Sequence, residues 1–579
     1  MYSIKRFAKL NVSLGSGVLF IAALTWVIVW AFFWWQYTVD DSYITYQYSR
    51  NIAAGNGSVF NAGERVEGFS CPFWVALLAS SQALYIDIIS FSKAVGLLSA
   101  VILPIGMFFL ASLYCKNRLI PGLAAILIAT VPEVNIYACS GMETVPFAAS
   151  VAIAVIFLSS HIRTLIKSIL VVTCLLIVLT FRPEGLLLAP IFLCIALWRT
   201  TFRWGKFVLL CFIPVAGFLL LMRWDYYGSL LPNTYLAKPS PVVFSILHNP
   251  FLVSVKLILK NIITQDLRTL FISSGGILIF PLGLFGLFWG IAMKRHLLVV
   301  HACVAALIVG AIYTSYSPAD WMPGNRFMLP FIFPGVLLTI LGFDEGVNYR
   351  PGVAVKLSSS LFKNHPPIQN GSGGTPCPAE IGAKPQAKPC LFQQAVRAIF
   401  VPLIVLVIIF NCYKTSRWAY SYSVGVTINK ALNASAYVEI GKWLKAHAFF
   451  GDKVLAYEVG ALGYYSGLNV IDHEGLIDKQ VAQYIKQAGG YGRIRNGSDE
   501  KNMLKVVNYC IDRKPDWFLL RSSVKGDYAV GQQLPSGVAN EEIQNTLLDK
   551  FGSAMVVAKV FMLDKRGLDK YVLLRRNIN

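Results

Sequence analysis

Residues 16–41 read SGVLFIAALTWVIVWAFFWWQYTVDD, an uncharged apolar run that ends in an acidic pair, Asp40-Asp41. A helix needs about 20 apolar residues to cross the hydrocarbon core of a bilayer, and this run supplies them. Lys5, Arg6 and Lys9 precede it, which puts its start on the cytoplasmic side. The two carboxylates then emerge at the opposite surface. Charge beside lipid is costly unless it faces water, a cation or a substrate. On this stretch alone a solvated helix end explains the pair as well as a functional site does.

The rest of the chain has the same character. Of 579 residues, 56% are hydrophobic and 14% charged, and the mean hydropathy is +0.58. A soluble chain carries about 25% charged residues. The net charge of +21 sits on a polytopic frame, so basic cytoplasmic loops account for part of it and nucleic acid is not expected as a partner. The first run is too long and too aromatic for a cleaved signal, and no small-residue cleavage site follows it. Cys174, Cys194, Cys211 and Cys303 stand in apolar runs and read as small lipid or core residues. Cys377 and Cys390 share a loop, but two thiols do not make a zinc site.

Candidate spans lie near 15–36, 92–114, 119–136, 143–160, 166–181, 184–198, 207–222, 271–293, 297–314, 326–341 and 395–412. Counted from a cytoplasmic start, the inner connections carry Lys116/Arg118, Arg163/Lys167, Arg199/Arg203/Lys206 and Lys294/Arg295, as the positive-inside rule requires. The connection from 342 to 394 also falls inside, and its Gly, Pro, Ser and Lys content argues for a loop without a packed core. Tyr43, Tyr46, Gln47 and Arg50 recur at helical spacing and predict a helix over 41–54. Phe73 to Ile89 is apolar but follows a Pro and is broken by Ser and Gln, so it reads as interfacial or re-entrant.

The outer face collects a different chemistry: Asp40-Asp41, SGMET at 140–144, FRPEG at 181–185, RWDYYGSLLPNTYLAKP at 223–239 and SPADWMPGNRF at 317–327. These five segments are expected to build one composite site. Arg50, Arg182, Arg223, Lys238 and Arg326 are the cations on this face. Tyr43, Asp225, Tyr226, Tyr227, Asn233, Asp320 and Trp321 are its further polar and aromatic candidates. Interfacial anchoring explains any one of the aromatics equally well. Glu64 and Glu67 flank Arg65 and read as an ion-pair brace within the first loop, and Arg182 with Glu184 as a second brace around Pro183.

The segment DDSYITYQYSRNIAAGNGSVFNAGERVEGFSCPFW at 40–74, with SGMET, RPEG, YYGSLLPNTYLAK and the Asp-Trp-Met…Arg-Phe stretch in the same order, resembles the mycobacterial terminal β-arabinofuranosyltransferase family and its bacterial relatives. The likeness spans roughly 15 to 342 and is weaker beyond. Ser42, Phe69-Ser70 and Ala319 are mild departures from the family pattern. The resemblance implies a polytopic α-helical membrane protein of the C-type glycosyltransferase fold, using a polyprenyl-phosphate sugar donor, with the catalytic acid at Asp40 or Asp41. For such a donor a carboxylate takes the proton of the incoming hydroxyl, and cations among Arg50, Arg182, Arg223, Lys238 and Arg326 hold the leaving phosphate, with Lys238 and Arg326 preferred because each stands in a motif-bearing loop beside the membrane. Tyr43, Asp225, Tyr226, Tyr227, Asn233, Asp320 and Trp321 are then the candidates for contact with the sugar or acceptor. Asp40 is favoured as the base and Asp41 as its orienting neighbour, a nearly even choice. No metal is expected, since no metal-ligand cluster is evident, although a divalent cation bridging an Asp and the donor phosphate is compatible with the chemistry.

Residues 413–579 read as a separate soluble α/β domain after a multi-span catalytic domain at 1–412. KVLAYEV at 453–459, NVID at 469–472, DWFLL at 516–520 and the stretches at 554–562 and 571–575 predict strands, while 434–448 and 478–488 predict helices. Asp472, His473 and Glu474 stand adjacent, which is awkward for joint metal coordination on a strand and favours structural or acceptor-positioning roles. The resemblance implies transfer of a sugar, arabinofuranose first, to an envelope glycan on the periplasmic face of a bacterial inner membrane. A pilin or protein glycosyltransferase with the same donor, and a lipid or sugar transporter, are the alternatives. The transporter reading lacks the internal repeats that such folds show.

Overall fold

The computed structural model describes residues 12–159, 162–198, 200–238, 253, 256, 297–316, 322, 326–347, 391–423, 434–524, 528–563 and 569–577. Asp320, Trp321, Cys377, Cys390, the span expected at 271–293 and most of the 342–394 connection lie outside them.

Among the described residues five helical stretches are long and apolar enough to cross a membrane: Leu14–Gln36, Ile88–Tyr114, Phe202–Tyr227, Arg326–Glu345 and Phe400–Ser423. Shorter apolar helices, Ile120–Ala129, Thr144–Leu158, Leu165–Phe181, Gly185–Trp198 and Val299–Tyr313, pack between them. The outer helices show lipid-facing apolar surface. Val18, Ile21 and Phe32 on the first helix and Phe218 and Leu221 on Phe202–Tyr227 are exposed. The central helix Arg326–Glu345 is almost wholly enclosed. The run expected as one span at 119–136 is divided instead, because Pro132 starts a new helix, Pro132–Tyr137, after a break at Thr130 and Val131.

The two ends of the bundle sort as the charge pattern requires. Ser13 meets the Arg118 carbonyl at 3.1 Å, and Asp344 accepts the backbone N–H of Lys116 at 2.8 Å and of Asn117 at 2.9 Å. These are segments that the basic connections place on one side. At the other end stands the helix Asp40–Ala53, one residue longer at its start than the spacing predicts. It is followed by Pro72–Ala83, a 12-residue helix too short to span, as read from its sequence.

The last long helix, Leu391–Ser423, continues well past the apolar run at 395–412. Beyond it lies a five-stranded sheet of order β2-β1-β3-β5-β4, with β1 Lys453–Ala456, β2 Asn469–Asp472, β3 Trp517–Ser522, β4 Met555–Met562 and β5 Lys570–Arg576. β1 runs parallel to β2 and β3, whereas β5 is antiparallel to β3 and β4. Runs such as WFLL and YVLL are apolar at every position because both faces of the sheet are covered. Leu455, Ile471, Phe518, Leu520, Val572 and Leu574 face a core formed with the helices Lys479–Ala488, Glu500–Asp512 and Glu542–Phe551. Val454, Val470, Trp517, Leu519, Tyr571 and Leu573 face the other way, into the core shared with the membrane helices. The helices Ser435–His447 and Gly460–Ser466 lie between, so the sheet domain docks on the Asp40–Ala53 helix through a continuous apolar interior.

Candidate active site

The acidic pair opens the Asp40–Ala53 helix, so its two carboxylates leave the backbone about 100° apart and face different surroundings. Asp40 is 1% exposed and turned toward the sheet domain. Its carboxylate accepts the backbone N–H of Ala461 at 2.8 Å and of Gly460 at 3.1 Å, the first turn of Gly460–Ser466. Burial pushes this carboxyl up to about 7. Gly460 is required there: a Cβ would lie 2.2 Å from the Asp40 carbonyl oxygen. Asp41 is more open, at 21% side-chain exposure, and lies 3.7 Å from the Arg326 guanidinium.

Asp41 lines two cavities. One, of about 150 Å³, is bounded by Asp41, Glu143, Arg182, Lys238, Tyr313 and Arg326. The other, of about 670 Å³, opens between the bundle and the sheet domain. Asp41, Lys238 and Arg326 border both, so they stand at the junction. A third space, an apolar groove of about 360 Å³ lined by Val75, Leu179, Leu186, Leu219 and Met222, reaches Phe69, Arg182 and Tyr235, which also wall the small cavity.

The remaining candidates are engaged by protein partners, although Arg182 also walls the small cavity and the groove. Arg182 is buried between Glu143 and Glu184, so its charge is met twice; the Arg182–Glu184 pair is the brace expected around Pro183. Arg223 forms a bidentate pair with Glu67, both bonds 2.7 Å. Glu64 pairs with Arg513 of the sheet domain, and Arg65 lies over the Tyr226 ring at 4.8 Å. The expected brace within Glu64-Arg65-Glu67 is therefore replaced by longer-range contacts, because each side chain meets a partner from far along the chain: Arg513, Tyr226 and Arg223. Arg50 donates to the Tyr464 carbonyl at 2.9 Å and stacks on its ring. A cation so engaged has little left to offer a phosphate.

Tyr43 packs among Tyr46, Tyr464 and Tyr465, with ring centroids 5.3–5.6 Å apart, inside the docking surface. Tyr226 accepts the Ser58 N–H at 3.0 Å and Tyr227 donates to the Ser58 carbonyl at 3.0 Å, so together they clamp the first loop. Asn233 donates to the carbonyls of Gly475 at 2.7 Å and Leu476 at 3.0 Å, tying the fourth outer motif to the sheet domain. Asp225 is exposed on the outer helix and lines none of the three spaces. SGMET supports the Asp40–Ala53 helix: Ser42 donates to the Ser140 carbonyl at 2.9 Å and Trp74 to that of Gly141 at 3.3 Å.

The large cavity brings in residues to which the sequence reading gave no site role: Glu458, Tyr491, Arg495 and Glu541, with Glu474 beside them. Glu458 follows β1 and Glu474 follows β2, so both sit at the carboxyl ends of parallel strands, where α/β folds form their crevices. That position was readable from YEVG and IDHEG once the strands were assigned as parallel. Burial raises the proton affinity of Glu458 and pushes Glu474 up to about 8. Asp472 is a turn residue, accepting the N–H of Glu474 at 2.8 Å and of Ile477 at 3.0 Å. Among the described residues no group of three or more His, Cys, Asp or Glu side chains is arranged to hold a metal ion.

This fold and composition define a polytopic helical membrane protein with a C-terminal α/β domain. Residues 427–563 match the profile of a domain of unknown function (DUF8728). The chain is similar to a terminal β-(1→2)-arabinofuranosyltransferase of Mycobacterium tuberculosis, with 28% identity over 237 residues, covering 38% of this chain and 37% of that protein. A protein of the same name from Corynebacterium glutamicum is 29% identical over 265 residues, covering 38% and 36%. The chain thus matches little more than a third of the length of these relatives. Solved structures with a related outline include ArnT from Cupriavidus metallidurans bound to undecaprenyl phosphate, at 12% identity and a TM-score of 0.49 over 97% of this chain and 98% of that one. Another is the oligosaccharyltransferase AglB from Archaeoglobus fulgidus in complex with an inhibitory peptide and a dolichol-phosphate, at 11% identity and a TM-score of 0.45 over 86% and 69%.

Proposed function

We propose that this protein transfers a sugar, arabinofuranose, from a polyprenyl-phosphate donor to a cell-envelope glycan, on a C-type glycosyltransferase fold at the periplasmic face of a bacterial inner membrane. The observation that carries this reading is the position of Asp41, where the small cationic cavity meets the large polar one. Local similarity to terminal β-(1→2)-arabinofuranosyltransferases supports the sugar and the glycan acceptor.

The parts then have distinct tasks. The apolar groove takes the lipid tail, whose burial supplies affinity without direction. Lys238 and Arg326 hold the phosphate by charge-assisted hydrogen bonds. The acceptor enters from the large cavity. Asp41 removes the proton of its hydroxyl as that oxygen attacks the anomeric carbon. The bond from that carbon to the phosphate oxygen breaks, its electron pair stays on the lipid phosphate, and the proton remains on Asp41. Arg326 lies close enough to Asp41 to orient it and to join phosphate and base in one electrostatic unit. Asp40 fixes the start of the helix that presents Asp41. We assign no metal ion to this step.

The test is transfer from radiolabelled polyprenyl-phosphoryl arabinofuranose by the full chain in nanodiscs, offered arabinan oligosaccharides and, separately, peptides. Labelled oligosaccharide is the expected product. Labelled peptide alone, or no consumption of the donor, overturns the reading.

A further inference from the structure

The large cavity has one wall built entirely by the sheet domain. The Tyr491 hydroxyl donates to Glu541 Oε2 at 3.0 Å and stands 3.1 Å from His473 Nδ1. With its own proton committed to Glu541, the phenol oxygen accepts from Nδ1–H, which fixes the imidazole tautomer by the network around it. His473 is fully buried, its ring flanked by Tyr457 and Tyr491 at centroid distances of 5.9 and 6.2 Å. Burial pulls its basicity down to about 3, so it acts as a neutral donor. On the other side of Glu541, Arg495 Nε lies 3.6 Å from Oε1.

The lining carries five carboxyl groups and five cationic side chains. Three of the cations are paired: Arg495 with Glu541, Arg521 with Asp569 at 2.6 Å and Arg326 with Asp41 at 3.7 Å. Burial holds protons on Glu458 and Glu474, so these two present hydrogen-bond donors as well as acceptors to the cavity. Sugar hydroxyls both donate and accept, and so pair with carboxylate, phenol and guanidinium alike.

We infer that Glu541, Tyr491 and Arg495 form the acceptor-binding wall and hold the hydroxyl groups of a glycan, with His473 as the positioning residue for Tyr491. The inference rests on the transfer reading above for the role of the cavity, but glycan binding by this wall is measurable without turnover. Glu541 gives the wall its acceptor of hydrogen bonds, and the Tyr491 bond keeps one of its oxygens fixed while the other faces Arg495.

The test uses the fluorescently labelled full chain in nanodiscs on an array of neutral oligosaccharides. Labelled polyprenyl phosphate measures the donor side in parallel. Neutral glycans are expected to bind, at least tenfold more weakly to E541Q and Y491F, with polyprenyl-phosphate binding within twofold of wild type. H473A is expected to weaken glycan binding as Y491F does, and H473N to restore it, because the Asn amide offers an N–H near the Nδ1 position. Glycan binding unmoved by E541Q and Y491F, or no glycan bound while polyprenyl phosphate is held, overturns the inference. Failure to consume the donor in the transfer assay, with neutral-glycan binding intact and sensitive to E541Q, sinks the transfer reading instead.

Discussion

The Asp41 carboxylate lies 3.7 Å from the Arg326 guanidinium, while its sequence neighbour Asp40 is turned away onto the backbone of Gly460 and Ala461. One residue of separation on a helix thus gives one acid to the cavity junction and the other to the docking of the sheet domain.

This difference predicts opposite signatures for two substitutions of equal size. Asp41→Asn is expected to lower single-turnover transfer by about 10²–10⁴-fold, the usual contribution of a general base, with unchanged thermal stability. Asp40→Asn is expected to lower the unfolding temperature, since the amide has one oxygen for the two N–H groups of Gly460 and Ala461 and a buried donor left unsatisfied costs about 1–3 kcal/mol. A stable Asp40→Asn protein without activity, beside an active Asp41→Asn, would reverse the assignment.

The cations divide in the same way. Lys238→Met and Arg326→Met should each weaken donor binding or transfer by about 10- to 150-fold, through loss of a charge-assisted bond to phosphate. Arg223→Met should act on stability instead, because it leaves Glu67 buried and unpaired; a broken buried pair costs about 3–5 kcal/mol. Donor titrations and melting curves on the three proteins separate these outcomes.

Gly460→Ala adds a methyl group 2.2 Å from the Asp40 carbonyl oxygen, closer than any real contact. Overpacking of this kind costs about 1–3 kcal/mol. Hydrogen exchange is expected to accelerate together in 40–53 and 435–472, the two sides of the docking surface. Acceleration confined to the sheet domain would show that the contact does not order the catalytic helix.

The cavity carboxylates predict a pH dependence with a definite sign. Glu474 binds its proton up to about 8 in the folded chain, against 4.5 when unfolded. The folded state therefore holds more protons between those values, and stability falls as pH rises through the interval. His473 acts oppositely below its ordinary value of 6.5, where the unfolded imidazole takes up a proton that the folded one, held at about 3, does not. Above pH 6.5 that contribution is complete, and Asp40 and Asp472 level off near 7. The melting temperature should drop from about pH 6.5 to 8, and drop less in Glu474→Gln. An identical slope in the variant would remove Glu474 from the account.

A reporter active only outside the cytoplasm should be active when fused after Asn579 and silent within 345–390. The motive is the clustering of Ser13, Lys116, Arg118 and Asp344 at the end of the bundle opposite the sheet domain. The reverse pattern would invert the proposed sidedness.

The sequence by itself determined the membrane class, the helix after the acidic pair and each strand of the sheet domain. These features are local: hydropathy over one span, basic residues at its ends and apolar runs bounded by turns need no knowledge of distant neighbours. Only the tertiary structure decided which charges face the cavity. Asp40 and Asp41 are chemically identical, and only the N–H groups of residues 460 and 461 distinguish them. Arg50, Arg182 and Arg223 look as available in sequence as Lys238, yet Tyr464, Glu143 and Glu67 engage them from far along the chain. The acceptor wall was hidden for the same reason. His473, Tyr491, Arg495 and Glu541 are spread over nearly seventy residues of unremarkable sequence, and converge only because the parallel strands β1 and β2 end at one crevice and the helices that follow close around it.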